Sequence, residues 1–142
     1  MKQKLNCVLL IDDDEPTNFL SQMIIEEADC AGHIQIATSG VQALRYLNNR
    51  RGFSEVDTYP SPDLIFLDIN MPAMNGWEFL KEYNRMEKEQ QGNIVIIMLT
   101  TSLNPDDESK AKITPHIDGF ESKPLTEAKL EAILKKYFRE HY

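Results

Sequence analysis

The strongest constraint on the fold of this chain is the regular alternation of short apolar segments with segments of helical periodicity. Apolar runs of strand length occur at Cys7–Ile11, Ile34–Thr38, Asp63–Leu67, Ile94–Leu99 and Ile117–Ser122. Each run is followed by a stretch in which apolar residues recur every three or four positions. Strands that alternate with helices predict an α/β fold, in which a parallel sheet carries helices on both faces.

The helical segments are delimited by capping and helix-breaking residues. They are predicted over Glu15–Ala28, from Ser39 through Leu47, from Asn75 to about Gln90, after Asn104, and from Thr126 to about Glu140, with ends at Gly92 and Pro115 for the third and fourth. The side chains expected to face the core are Leu20, Met23, Ile24, Ile25 and Ala28 in the first helix, Val41, Leu44 and Leu47 in the second, Trp77, Leu80 and Tyr83 or Asn84 in the third, Ala111 and Ile113 in the fourth, and Leu130, Ile133, Leu134, Tyr137 and Phe138 in the last. The polar stretch Asn48–Pro62 predicts a long loop, and the polar strand at Ile117–Ser122 predicts a sheet edge.

Length and charge narrow the class of protein further. A chain of 142 residues predicts a single domain over 1–142. The formal net charge of −8 disfavours direct binding to DNA and to anionic membranes. No apolar run approaches the roughly 20 residues that span a bilayer, and Cys7 and Cys30 show neither a metal-ligand spacing nor a disulfide framework. We therefore expect a cytoplasmic protein with reduced thiols and no membrane segment.

Polar and charged residues follow the predicted strands at the points where the strands end. They are Asp12, Asp13 and Asp14 after the first strand, Asp68 after the third, Thr100, Thr101 and Ser102 after the fourth, and Lys123 after the fifth. A parallel sheet brings all of these residues to one edge. Clustered carboxylates need a cation, and carboxylate and carbonyl oxygens suit Mg²⁺. Lys123 and Thr100 can contact a phosphate oxygen, and Asp68 can accept a phosphoryl group as an aspartyl phosphate.

Each of these features has an ordinary structural explanation when it is taken alone. Asp14 or Glu15 can be a helix cap, a threonine at a strand end is usually structural, and a Lys-Pro pair is usually a surface turn. Two other functions also remain open. A Mg²⁺ phosphohydrolase would use Asp12 and Asp14, but Pro16 stands where its motif has a threonine. A module that only binds protein partners would need no phosphorylation. The occurrence of all the features at one predicted sheet edge favours phosphoryl transfer.

Four motifs together resemble a response-regulator receiver domain, the phospho-accepting module of two-component signalling. They are Val8–Asp13, Asp63–Gly76, Ile97–Ser102 and Gly119–Pro124. The resemblance extends over a core of about residues 5–138. It implies a flavodoxin-like, doubly wound (βα)5 sandwich with a five-stranded parallel sheet in the order 2-1-3-4-5.

The resemblance also implies roles for individual residues. It makes Asp68 the phospho-acceptor, with Mg²⁺ bound by Asp12, Asp13, Asp68 and the backbone carbonyl of Asn70. Thr100 and Lys123 would bind the phosphoryl group, Thr100 and Phe120 would form the switch pair, and the Lys123–Pro124 peptide bond would be cis. The implied donor is a sensor histidine kinase or a histidine phosphotransferase.

The chain departs from the family pattern in several places. Three consecutive aspartates leave the acidic pair as Asp12/Asp13 or Asp13/Asp14, and the first is preferred because it turns Leu20, Ile24 and Ile25 toward the sheet. Thr101 is bulkier than the usual residue, the Asn48–Pro62 connection is longer than usual, and Ser102 predicts slow self-dephosphorylation. Only 19 residues follow Lys123. We therefore expect no output domain, no enzymatic activity beyond its own phosphorylation and dephosphorylation, and action through an unknown downstream protein or a phosphorelay.

Overall fold

The strands form the parallel sheet that the alternating pattern predicts. The computed structural model describes residues 2–49, 60–86, 93–101 and 104–142. Its strands are β1 (Val8–Ile11), β2 (Ile34–Ala37), β3 (Leu64–Leu67), β4 (Val95–Thr100) and β5 (Gly119–Ser122). All neighbouring pairs are parallel, and the order is β2-β1-β3-β4-β5. The order 2-1-3-4-5 is thereby confirmed, and β5 lies at an edge as predicted.

The helices that connect the strands begin mostly at the predicted capping residues. They are α1 (Glu15–Ala28), α2 (Gly40–Asn49), α3 (Gly76–Asn84), α4 (Pro105–Ile113) and α5 (Glu127–Tyr137), followed by a 3-10 turn at Arg139–His141. Side-chain oxygens of Ser39, Asn104 and Thr126 accept hydrogen bonds from backbone N–H groups in the first turns of α2, α4 and α5. The third helix was predicted to extend to about Gln90, but it ends at Asn84, with Arg85 as its C-cap. Gly92 and most of the Asn48–Pro62 connection lie outside the described residues. None of the helices in the described ranges is long and apolar enough to cross a membrane.

The sheet separates two hydrophobic cores, because successive side chains of each strand point to opposite faces. Leu9, Ile65 and Ile96 face one core, where they pack with residues of α2, α3 and α4. The other core is formed with α1 and α5, and Leu10 and Phe66 face it. Helices thus cover both faces, so the carboxyl ends of the strands form the accessible edge.

The inward face of α1 differs from the prediction. Its buried residues are Asn18, Ser21 and Ile25, whereas Leu20 is 55% exposed and Met23 is 42% exposed. Ile24 is half-buried and Ala28 is exposed. The inward side of the first turns is polar because Asn18 donates a hydrogen bond of 2.8 Å to the carbonyl oxygen of Asp12. The apolar residues of that stretch therefore face solvent.

Smaller corrections apply to the other helices. In α2 the buried side chains are Ala43, Tyr46 and Leu47, and Val41 is 48% exposed. In α3 the buried set includes Phe79, which the prediction missed, whereas Trp77 is only partly buried. Ile113 at the end of α4 is 83% exposed, because the helix stops there before Pro115. Periodicity locates a helix along the chain, but residues near its ends need not reach the core.

Candidate functional site

Charged side chains from three strand ends meet at the carboxyl edge of the sheet. Lys123 follows β5, and its Nζ donates a hydrogen bond of 2.6 Å to Oδ2 of Asp12, which follows β1. The same Nζ lies 3.2 Å from Oδ1 of Asp68, which follows β3. Asp13 completes the group, because oxygens of Asp12, Asp13 and Asp68 all lie within 4.8 Å of one another. Residues more than a hundred positions apart therefore form one site.

Backbone hydrogen bonds that extend the parallel ladders hold these residues in place. The N–H of Asp68 donates to the carbonyl of Ile11 at 2.9 Å, and the N–H of Asp12 donates to that of Ala37 at 3.1 Å. The N–H of Lys123 donates to the carbonyl of Thr100 at 2.8 Å. Each side chain thus leaves the sheet from a paired backbone position, which limits its movement.

The tight loop between β3 and α3 requires a glycine at position 76, where the Asp63–Gly76 motif ends. The N–H of Gly76 donates to the carbonyl of Ile69 at 2.8 Å. A Cβ atom on Gly76 would lie 2.5 Å from the backbone oxygen of Asp68, which is closer than van der Waals contact permits. Asn75 caps α3 through a reciprocal capping box with Glu78. The loop therefore folds back tightly against the backbone of Asp68.

The structure separates Asp14 from the acidic cluster. The Asp14 carboxylate caps α1 by accepting hydrogen bonds from the hydroxyl and the backbone N–H of Thr17, and these bonds lower the pKa of Asp14. The backbone N–H of Asp14 in turn donates to Oδ1 of Asp12 at 3.0 Å. The cluster thus contains Asp12 and Asp13, the acidic pair that the sequence favoured. The argument that favoured this pair placed Leu20 against the sheet, and that placement is wrong, because Leu20 is exposed. A phosphohydrolase would need the carboxylate that Asp14 commits to the helix cap.

The site carries more negative than positive charge. Burial raises the pKa of the Asp68 carboxyl, and the Asp12 charge raises it further, against the opposing effects of Lys123 and of a hydrogen bond from the Asn70 backbone. For Lys123, burial by itself lowers the pKa, but hydrogen bonds and attraction from Asp12 and Asp68 outweigh it and raise the pKa overall. Among the described residues, the cluster has three carboxylates and is contacted by one ammonium group, so negative charge is in excess.

A divalent cation fits this arrangement. Asp12, Asp13 and Asp68 offer carboxylate oxygens, which are the hard ligands that Mg²⁺ prefers, and exposed Asp13 leaves room for metal-bound water. The backbone N–H of Asn70 donates to the Asp68 carboxylate, so the Asn70 backbone lies beside the cluster. The Asn70 carbonyl as a metal ligand stays a prediction.

The predicted switch residues lie on β4 and β5, the two strands whose ends adjoin Lys123. Thr100 is fully buried at the end of β4, and half-buried Phe120 pairs with Met98 in the β4–β5 register and packs against the core formed with α2, α3 and α4. The Lys123–Pro124 peptide bond is cis, as expected. Thr101 is exposed and lines a cleft with Lys123, while Ser102 lies outside the described residues.

Two contacts at the site were not expected from the sequence. Buried Asn18 bonds the Asp12 carbonyl, and Lys129 bonds the loop that carries Lys123. Polar residues on a predicted amphipathic helix are ordinarily assigned to its solvent face, so the helical pattern carries no signal for either contact.

Comparison with known proteins agrees with this geometry. The family model for the response regulator receiver domain matches residues 8–135. The chain is 31% identical to Hybrid signal transduction histidine kinase L of Dictyostelium discoideum over 94% of its own length, but it spans only 7% of that protein. It is 30% identical to Two-component response regulator ARR22 of Arabidopsis thaliana, over 97% of this chain and 87% of that protein.

The fold is also similar to that of a solved structure. The two-component response regulator from Cytophaga hutchinsonii is 35% identical, with a TM-score of 0.83, and the match covers 94% of this chain and 97% of that one. The family match spans all five strands. The chain therefore belongs to the family of response regulator receiver domains, the receiver modules of two-component systems.

Proposed function

We propose that this receiver accepts a phosphoryl group on Asp68 from a phosphohistidine of a sensor histidine kinase or a histidine phosphotransferase. The observation that carries the proposal is the convergence of the Asp68 carboxylate, the Lys123 ammonium at 3.2 Å and the two further carboxylates of the cluster. Phosphoryl transfer requires mainly positioning and charge neutralisation, and these groups are suited to supply both.

The chemical step follows from the roles of the side chains. An Asp68 carboxylate oxygen attacks the phosphorus atom, the P–N bond breaks, and its electron pair stays on the imidazole of the donor. The ammonium of Lys123 and the hydroxyl of Thr100 bind phosphoryl oxygens. Asp12, Asp13, Asp68 and the Asn70 carbonyl would hold Mg²⁺, which would neutralise the phosphoryl charge.

The surface beside the site is suited to bind a protein that donates the phosphoryl group. Phe19, Leu20 and Met23 expose apolar side chains on α1. Leu20 lines the same cleft as Lys123 and Pro124. Exposed apolar groups that adjoin a charged site are typical of a protein-binding surface. A donor that docks here presents its phosphohistidine to Asp68.

The response is a change of protein-binding surface rather than an enzymatic reaction on another molecule. Thr100 moves toward the phosphoryl group, and Phe120 moves into the space that Thr100 leaves, which shifts a two-state equilibrium of the surface formed by α4, β5 and α5. The target is a protein, since the net charge of −8 opposes direct contact with DNA. Cys7 and Cys30 are buried and form no disulfide, which suits a reducing cytoplasm.

Phosphorylation by a small acyl phosphate tests the proposal directly. With Mg²⁺ the protein should form an acid-stable, base-labile adduct, and chelation of the metal should abolish it. Asp68→Asn should form none, whereas Asp29→Asn, at an exposed surface pair with Lys4, should label like the parent. Equal labelling of Asp68→Asn and the parent would show that another residue is the acceptor. No adduct together with no Mg²⁺ binding would favour a module that only binds partners.

A further inference from the structure

Lys129 holds the loop that carries Lys123. It lies in the first turn of α5, and its Nζ donates hydrogen bonds to the Ser122 carbonyl at 2.8 Å, the Ser122 hydroxyl at 3.2 Å and the Pro124 carbonyl at 3.2 Å. These acceptors stand on both sides of Lys123 in the chain. One ammonium group therefore bridges Ser122 and Pro124, the two residues that flank Lys123.

The position of Lys129 is unfavourable for a lysine that serves only helix stability. The first turn of a helix carries partial positive charge, which repels a cation. No carboxylate of the described residues lies within ion-pair distance of Lys129 that would offset this repulsion. Its backbone N–H bonds the Thr126 hydroxyl, which fixes the start of the helix next to the loop. The loop oxygens are the groups that stabilise the ammonium here.

The bridge acts on the direction of the Lys123 side chain. The N–H of Lys123 donates to the Thr100 carbonyl, and the carbonyl groups of Ser122 and Pro124, the residues before and after Lys123, accept hydrogen bonds from Lys129. A shift of the backbone at either neighbour would move the Lys123 ammonium away from Asp12 and Asp68. We propose that Lys129 is a positioning residue, which keeps the Lys123 ammonium aimed at the phosphoryl site. The proposal rests on the proposed phosphorylation of Asp68.

The test compares three substitutions in α5. Lys129→Met removes the bridge, Lys129→Arg retains a donor of the same charge, and Lys135→Met removes an equal charge from the exposed pair with Glu131. The measurements are the rate of phosphorylation by a small acyl phosphate at saturating Mg²⁺ and the affinity for beryllofluoride, a phosphoryl mimic. Lys129→Met should lower both by about five- to tenfold, since small misplacements of a reacting group are costly. Lys135→Met should match the parent, and Lys129→Arg should recover much of the loss.

The outcomes separate this proposal from the proposed function. If Lys129→Met matches Lys135→Met in rate and in beryllofluoride affinity, the positioning role is wrong, although phosphorylation of Asp68 stands. If the parent forms no adduct, the proposed function fails, and NMR then tests the positioning role by itself. The protected ammonium resonance of Lys123 should be lost in Lys129→Met. Its persistence would overturn the positioning role. If Lys129→Met does not fold, Ser122→Ala replaces it, with an expected loss of about twofold for one removed acceptor. An unchanged rate in Ser122→Ala would then refute the bridge.

Discussion

Replacement of Lys123 by methionine removes the cation that contacts the acidic cluster but keeps a side chain of similar length. The side chains of Lys123, Asp12 and Asp68 are 12%, 8% and 6% exposed, so solvent screens their interactions only partly. At an effective dielectric constant of about 20, the attraction is about 6 kcal/mol over 2.6 Å to Asp12 and about 5 kcal/mol over 3.2 Å to Asp68. The cost of burying the ions offsets much of this attraction.

The net effect of the substitution is the cost of leaving buried carboxylates without their cation. Breaking a buried pair from one side costs about 3–5 kcal/mol. We expect the lower end, about 3 kcal/mol, because Asp12 keeps a hydrogen bond from the Asp14 backbone and Asp68 keeps one from the Asn70 backbone. With a urea m-value of about 2 kcal/mol/M, the unfolding midpoint in metal-free buffer at pH 7 should fall by about 1.5 M.

Mg²⁺ provides the second half of the test. Because the metal supplies the missing positive charge, it should raise the unfolding midpoint of Lys123→Met by more than that of the parent. The matched control is Lys4→Met at the exposed pair with Asp29, where we expect a loss below about 1 kcal/mol. A midpoint of Lys123→Met that equals that of the control, or an equal response of variant and parent to Mg²⁺, would refute the electrostatic reasoning.

Two further substitutions test the site by stability. Asp68→Asn should raise the metal-free stability at pH 7, because the raised pKa of Asp68 means that the folded state binds the proton more tightly than the unfolded state. The ionised carboxylate therefore destabilises the protein above the pKa of Asp68 in the folded state. The gain in free energy of unfolding from Asp68→Asn should shrink as the pH falls toward 3.8, the ordinary pKa of an aspartate. A gain that stays constant with pH in urea titrations would contradict this. Gly76→Ala should destabilise the protein by about 2 kcal/mol, since its Cβ would lie 2.5 Å from the Asp68 backbone oxygen. Gly32→Ala, whose Cβ would lie 3.4 Å from the nearest atom, should be tolerated, and equal melting temperatures of the two alanine variants would contradict the steric argument.

The sequence was sufficient for the elements of the fold and for their order. Apolar runs and helical periods are local properties of the chain, and capping at Ser39, Asn104 and Thr126 depends on neighbouring residues alone. The parallel topology then follows from the alternation of strands and helices. This topology is sufficient to predict that Asp12, Asp68 and Lys123 lie at the same edge of the sheet.

The rotation of the helices and the partners of individual polar groups depended on the tertiary structure. The pattern of α1 favoured Leu20 and Met23 as core residues, but the polar side of its first turns packs on the site, where Asn18 bonds Asp12. Whether Asp14 joins the cluster was likewise open in the sequence, and its bonds to Thr17 answer the question.

Local patterns in the chain are enough to predict the strands and helices, their order, and the charged residues that meet at one sheet edge. Three features depend on the packed fold: which of three adjacent aspartates caps a helix, which face of α1 is buried, and the bonds of Lys129 to the loop around Lys123. The physical reason is the range of the interactions. Backbone propensity and periodicity act between near neighbours in the chain, whereas a hydrogen bond between side chains depends on packing contacts among residues that are distant in sequence.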